Sequence, residues 1–167
     1  MGETDRAYEL ALKYLEKRER TEKEVYDKLT GAGYSEASAK QVLGRLREAG
    51  YVNDQSYAER YMESLAKKGR GRLRITAEMR RKGLEGDLIR NTLEDGELAS
   101  DELERAKEMA RQALKAIPEG TDKRKALAKV NRRLVTLGYT YSTIGEAMSA
   151  MRVFEEEGLE DEGNEGD

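Results

Sequence analysis

A segment of nineteen residues recurs three times in this chain with its apolar positions in register. The copies align without gaps and cover residues 25–43, 75–93 and 130–148. Each copy carries a glycine at the same place, Gly33, Gly83 or Gly138, and successive copies are 50 and 55 residues apart. Self-similarity at a fixed period of about 20 to 50 residues is typical of repeat proteins, whose units bury their apolar faces against one another. The chain is therefore predicted to contain three copies of one structural unit.

The spacing of apolar side chains within each copy predicts helices. Val25 and Leu29 are four residues apart, the interval that places two side chains on one face of a helix. Thr21 is followed three residues later by Glu24, which predicts a capping box, and the shared glycine predicts a left-handed helix end. No run of alternating β-branched residues indicates a strand. The predicted fold class is all-α, with three tandem three-helix repeats that form an elongated, curved modular body.

The predicted segments are repeat one at 1–50, repeat two at 51–99, repeat three at 100–154 and an acidic tail at 155–167. A three-helix unit of about 45 residues is close to the size at which a core is not stable alone, so the units are expected to stack. In repeat two, Asp54 or Ser56 is expected to cap the first helix. Tyr57 and Tyr61 are expected in the core of that helix. In repeat three, Thr121 is expected to cap the middle helix.

The acidic tail conceals the charge of the remaining chain. The formal net charge of the 167 residues is −3, but residues 155–167 hold eight acidic and no basic side chains. Residues 1–154 therefore carry a net charge of +5. A block of like charges repels itself and buries nothing, so the tail is predicted to be disordered. It is expected either to increase solubility or to fold back over the basic surface of repeats two and three.

The chain lacks two residue types on which many enzymes depend. The chain has no Cys and no His, which excludes disulfides, thiol catalysis and the usual zinc ligands. We therefore expect no enzymatic activity, no cofactor and no metal site. The first residues, MGETDRAYEL, contain acids and no apolar core of a signal peptide, and no long apolar run follows. The sequence predicts a cytoplasmic protein that does not bind membranes.

Basic residues concentrate at the junction of the first two helices of repeat two. Residues 67–82 hold eight cations and one acid, Glu78. At about 100° per residue, most of them point away from the core positions Ile75 and Met79, and the matching helix of repeat three has a similar face. The candidate contact residues are Lys67, Lys68, Arg70, Arg72, Arg74, Arg80, Arg81, Lys82, Lys125, Lys129 and Arg132. A merely solvated helix face is the alternative, but such one-sided charge, rich in arginine, favours contacts to phosphates or carboxylates.

Two glycines, Gly69 and Gly71, interrupt this basic segment. They either end and begin helices or allow the backbone of a partner to approach closely, and we favour the first role. The segment is not a phosphate-binding loop, because no strand precedes it and no G-K-[ST] follows.

Three stretches resemble the bacterial RecX family, regulators of the recombinase RecA. They are ALKYLEKRERTEKEVYDKLTGAGY (11–34), LREAGYVNDQSYAERY (46–61) and KKGRGRLRITAEMRRKGL (67–84). The similarity spans residues 7–154 and is weaker in repeat three. The chain departs from the family at Arg72, where many members have proline, and in its long acidic tail.

The resemblance implies a protein that lies in the helical groove of the RecA–DNA filament, across neighbouring subunits. There it is expected to inhibit ATP hydrolysis, strand exchange and LexA co-cleavage. The resemblance also implies weak direct binding to DNA, and an elongated monomer is the expected form. Two alternatives remain open at this point: a stand-alone DNA-binding helical module, and a helical scaffold for another acidic protein.

Overall fold

The computed structural model describes residues 1–95 and 101–162, with side chains described as far as Met151. Every regular element in this part of the chain is an α-helix, which confirms the all-α prediction. The helices are α1 Glu3–Lys17, α2 Glu22–Gly31, α3 Glu36–Glu48, α4 Asp54–Lys67, α5 Arg72–Arg81, α6 Gly86–Asp95, α7 Glu102–Lys115, α8 Lys123–Leu137 and α9 Tyr141–Glu162. None of the helices within the described ranges is both long and apolar enough to cross a bilayer.

The helix starts confirm one predicted cap and correct two. Thr21 and Glu24 form the predicted capping box at the start of α2. At α4 the amide of Ser56 donates to Asn53 Oδ1 over 3.1 Å, so neither Asp54 nor Ser56 is the cap. At α8 the capping side chain is Asp122 and not Thr121. In both cases the capping oxygen belongs to the residue directly before the first helical one. The predictions were wrong because they placed the starts of α4 and α8 one or more residues away from the observed starts.

The shared glycine of each copy has the predicted left-handed conformation. The φ angles of Gly33, Gly83 and Gly138 are 95°, 82° and 94°. Side chains rarely adopt this conformation, which explains why glycine occurs at the same place in all three copies.

The chain packs as two compact units. The first unit comprises residues 1–62 and 77–94, and the second comprises 63–76 and 95–167. Residues of repeat two thus contribute to both units, so the packing does not follow the boundaries drawn between the repeats. The repeat boundaries themselves remain a prediction.

Each unit has a core built from the positions that the copies share. Val25 and Leu29 are fully buried in the first unit, and Val130 and Leu134 are fully buried in the second. The expectation that Tyr57 and Tyr61 belong to the core is wrong, because both rings are only partly buried. The buried face of α4 lies one residue further along and consists of Ala58, Met62, Leu65 and Ala66.

The last helix continues into the predicted tail. Its bounds, Tyr141–Glu162, include residues 155–162, which sequence analysis assigned to a disordered segment. Glutamate is a good helix former, and it is frequent in this stretch. Residues 163–167 lie outside the described part of the chain.

Candidate functional site

In the second unit, the segment that connects α4 to α5 is fastened to the turn after α8. The amide of Gly71 donates to the Leu137 carbonyl over 2.8 Å, and the amide of Leu73 donates to the Gly138 carbonyl over 2.9 Å. The Tyr139 hydroxyl donates to the Gly69 carbonyl over 2.7 Å. We call these contacts between residues 69–74 and 137–139 the Gly138 junction. It fixes the backbone of the basic segment through three hydrogen bonds.

Glycine at this junction is required by close packing. A Cβ atom on Gly71 would lie 2.5 Å from the Gly138 carbonyl carbon, and one on Gly138 would lie 2.5 Å from the Arg74 amide nitrogen. Gly71 directly precedes α5, and its carbonyl accepts from the Ile75 amide over 3.0 Å, so the preferred role at a helix boundary holds for it. Close packing adds a second requirement for glycine there, because the neighbour is the backbone of its own chain. Gly69 does end α4, with a φ of 79°.

The first unit contains a matching junction. There the Thr21 hydroxyl donates to the Lys82 carbonyl over 2.6 Å. A Cβ atom on Gly83 would lie 2.5 Å from Lys23 Cβ. Thr21 occupies the same repeat position as Gly71, and Lys82 the same position as Leu137, so one kind of contact is made twice. Nothing lies within 4 Å of a Cβ atom built on Gly33, the glycine of the first copy.

Tyr139 is the buried polar side chain of the Gly138 junction. Its ring is 2% exposed. Burial raises the pKa of its hydroxyl above the ordinary value, although the positive charge of Arg105 opposes the shift. The hydroxyl therefore keeps its proton at neutral pH and remains a donor to the Gly69 carbonyl.

Helix α8 presents a cationic stripe to solvent. Lys125, Lys129 and Arg132 are exposed and are separated by four and three residues, so they lie along one face of the helix. The helix contains six cations and no acidic residue between Lys123 and Leu137. Arg124 and Arg133 of the same helix, which are not among the predicted contact residues, are also exposed. Arg132, the last residue of this stripe, lies six residues before Gly138, which directly follows α8.

The predicted contact residues fall into two sets, one in each unit. The second unit holds Lys67, Lys68, Arg70, Arg72, Arg74, Lys125, Lys129 and Arg132. All of these are exposed except Arg70, which is partly buried. The amide of Arg72 donates to Glu102 Oε1 over 2.9 Å, which fixes the start of α5. Lys67 forms an exposed ion pair with Glu63 at 3.1 Å.

The first unit holds the remaining predicted contact residues, Arg80, Arg81 and Lys82. Lys82 is partly buried, and its Nζ lies 5.8 Å from the centroid of the Tyr61 ring. Because its carbonyl also accepts from Thr21, Lys82 contributes to packing as well as to charge. Arg81 is exposed and pairs with Glu78 at 3.4 Å.

Three exposed apolar residues near the Gly138 junction were not among the predicted contact residues. Leu73, Val135 and Tyr141 are 58%, 45% and 86% exposed. A helical projection contains the signal for two of them. Leu73 lies about 160° around α5 from the buried Ile75, and Val135 lies about 140° around α8 from the buried Val130.

No group of three or more acidic side chains within the described ranges is arranged to hold a metal ion. The arrangement consists of exposed cations, an ordered backbone and exposed apolar side chains. These groups suit recognition of an anionic macromolecule by charge and surface contact.

Comparisons with known proteins agree on one family. A model described as "RecX, first three-helix domain" matches residues 7–46, and one described as "RecX, second three-helix domain" matches residues 53–93. The Regulatory protein RecX of Mycobacterium sp. (strain JLS) is 34% identical over 143 residues, which are 83% of this chain and 77% of that protein. The Regulatory protein RecX of Mycolicibacterium vanbaalenii is 35% identical over 155 residues, 89% of this chain and 83% of that protein.

A solved structure has the same fold. The crystal structure of RecX from Lactobacillus salivarius superimposes with a TM-score of 0.79 at 24% sequence identity. The superposition covers 90% of this chain and 97% of that one.

Proposed function

Because the chain belongs to the RecX family, we propose that it regulates the RecA recombinase by binding the RecA–DNA filament. In this proposal the protein lies in the helical groove of the filament, across neighbouring RecA subunits. It inhibits ATP hydrolysis, and through that contact it also suppresses strand exchange and LexA co-cleavage. It acts as a monomer in the cytoplasm and catalyses no reaction itself.

The basic surface of the second unit is the observation that best supports this proposal. The stripe lies on α8, the helix that Gly138 directly follows. At the Gly138 junction three hydrogen bonds hold the segment that carries Arg72 and Arg74. Cations on an ordered backbone lose less conformational freedom on binding than cations on a flexible loop. Guanidinium groups also form forked contacts with carboxylates and phosphates, and the RecA–DNA filament offers both.

The test is the single-strand-dependent ATPase of RecA, measured while the protein is titrated in at physiological salt. A neutralised variant carries Arg72→Gln, Arg74→Gln, Lys129→Gln and Arg132→Gln, all in the second unit. A matched control carries Arg6→Gln, Lys13→Gln, Lys17→Gln and Lys40→Gln, four exposed cations of the first unit. We expect inhibition by the wild type and the control, and at least tenfold weaker inhibition by the neutralised variant, about 1.4 kcal/mol.

The two variants test separately whether the protein inhibits RecA and whether the second unit makes the contact. Equal inhibition by all three proteins retains the regulatory function and moves the contact away from the second unit. Equal weakening of both variants indicates that only net charge matters. Absence of inhibition by the wild type contradicts the proposed function.

Direct DNA binding is a second candidate function, and the acid-free sequence of α8 favours it. If the protein neutralises about six phosphates of a duplex, the logarithm of its affinity falls with the logarithm of salt concentration at a slope near −5. Fluorescence anisotropy on a labelled duplex without RecA measures this slope. A steep slope together with no effect on the RecA ATPase supports the DNA-binding module over the regulator.

A further inference from the structure

Three residues with exposed apolar side chains have their backbones near the Gly138 junction of the second unit. They are Leu73, Val135 and Tyr141, 58%, 45% and 86% exposed, and we call them the apolar trio. The core of this unit is built from other residues, so the trio is not needed for packing. Large apolar side chains that gather on a surface expose area that favours binding to another molecule.

The backbone contacts place the trio around one point. The Leu73 amide donates directly to the Gly138 carbonyl over 2.9 Å. Val135 lies three residues before Gly138, and its carbonyl accepts from the Gly138 amide over 3.0 Å. Tyr141 lies three residues after Gly138, and three residues of chain span at most about 11 Å. All three residues therefore belong to one small region of the surface.

Cations border the apolar trio. Arg72 and Arg74 flank Leu73 in the chain, and both are exposed. Arg132 is three residues before Val135 on the exposed side of α8, so the two are neighbours on the helix surface. An apolar centre with an arginine border has the composition of an interface hot spot, in which Tyr and Arg are enriched.

We propose that the apolar trio is the centre of a protein-docking surface. Its occupant is an acidic protein surface that presents an apolar side chain to Leu73, Val135 and Tyr141, while its carboxylates meet the surrounding arginines. The positive border selects an acidic partner. Tyr141 offers one flat ring on which a base stacks, but Leu73 and Val135 are aliphatic and offer none, so the trio as a whole fits the apolar side chains of a protein. The inference rests on the proposed function, which identifies that partner with the RecA filament.

The test compares binding to the filament in low-salt and high-salt buffer. RecA filaments are assembled on a biotinylated single strand with a slowly hydrolysed ATP analogue, and binding is followed by biolayer interferometry. The trio variant carries Leu73→Ser and Tyr141→Ser. The matched control is Tyr51→Ser, which changes a 54% exposed tyrosine of the first unit. Circular dichroism and thermal unfolding verify that each variant folds, as expected for substitutions at exposed positions.

We expect the trio variant to bind about tenfold more weakly at both salt concentrations, because burial of apolar surface is not screened by salt. The Tyr51→Ser control is expected to bind like the wild type. Binding of all variants to the bare single strand is expected to be equal.

Each other result overturns a defined part of the inference. A trio variant that binds filaments like the wild type shows that the trio is not a docking surface and leaves the proposed function intact. Equal losses on filament and on bare strand identify the occupant as nucleic acid and not protein. A wild-type protein that does not bind the filament contradicts the proposed function, and this inference fails with it.

Discussion

At the scale of single residues, the glycines that recur in the three copies have two physical roles. Their left-handed φ angles end the helices, and this role is common to Gly33, Gly83 and Gly138. In the second and third copies the same glycine also contacts the start of another helix so closely that no Cβ atom fits. Gly71 has only the second role. A sequence pattern shows that glycine is needed but not which of these reasons applies.

The first prediction concerns Gly71. We expect Gly71→Ala to lower the free energy of unfolding by about 1–3 kcal/mol, because the added methyl group overlaps backbone that cannot move aside without breaking the Gly138 junction. Chemical denaturation followed by circular dichroism measures the change. The control is Gly44→Ala, since nothing lies within 4 Å of a Cβ atom at this helical position. There alanine is expected to stabilise the helix by about 0.5–1 kcal/mol. Equal effects at the two sites contradict the packing argument.

The second prediction concerns Tyr57 in the first unit. Burial of its hydroxyl, reinforced by the negative charge of Glu24, raises its pKa to about 12 from the ordinary value of 10.0. The unfolded chain therefore loses this proton at a lower pH than the folded chain does. The contribution of Tyr57 to stability is fully present below pH 10 and is lost as the pH rises from about 10 to about 12.

Urea unfolding across this pH range tests the assignment to Tyr57. In a Tyr57→Phe variant the decline is expected to be smaller, because the phenol is absent. Part of the decline remains, because burial raises the pKa of Tyr61 and Tyr139 as well. An identical decline in the variant and the wild type contradicts the assignment.

At the scale of helices, the start of α2 links local and tertiary structure. Thr21 caps its own helix through the amide of Glu24, at 3.2 Å, and it donates its hydroxyl proton to the Lys82 carbonyl. The amide of Glu22 donates to Asp54 Oδ1 over 3.0 Å, so the first residue of α4 also supports α2. Sequence identified the cap, but it gave no sign of either long-range contact.

The third prediction separates the contribution of the Thr21 cap from that of the hydrogen bond to the Lys82 carbonyl. Thr21→Ala removes a cap and leaves the partly buried Lys82 carbonyl without its donor, so we expect a loss of about 2–4 kcal/mol of unfolding free energy. Ser35→Ala removes only the cap of α3 and is expected to cost about 1 kcal/mol. A Thr21→Ser variant is expected to recover most of the loss, because serine retains the hydroxyl. Equal losses for Thr21→Ala and Ser35→Ala mean that the bond to Lys82 contributes nothing.

At the scale of the whole molecule, charge is distributed unevenly along the chain. The net charge is −3, yet residues 1–154 carry +5. Association with a polyanion depends on the field of the whole protein, which the acidic segment at 155–167 opposes. The effect of this charge is best tested by neutralising the acidic side chains and keeping the length of the segment. Deletion would also shorten α9, which extends to Glu162.

The fourth prediction concerns this segment. Replacement of its eight acids by Gln and Asn changes the net charge from −3 to +5. We expect association with a single-stranded oligonucleotide in low salt to become about tenfold faster or more. The gain should shrink as salt is added, because the Debye length falls to about 3 Å at 1 M ionic strength. Stopped-flow fluorescence measures the rate. An unchanged rate at low salt identifies the segment as one that affects solubility alone.

The sequence by itself determined the all-α fold, the recurring glycine with its left-handed φ, the capping box at Thr21 and the exposure of most of the basic residues. These properties follow from local spacing and from the preferences of single residues. Only the tertiary structure decided which predicted cations share a unit, that Gly71 contacts Gly138, and that Leu73 and Tyr141 remain at the surface. Such facts depend on contacts between residues up to about 70 positions apart, and helical periodicity carries no information about which elements meet.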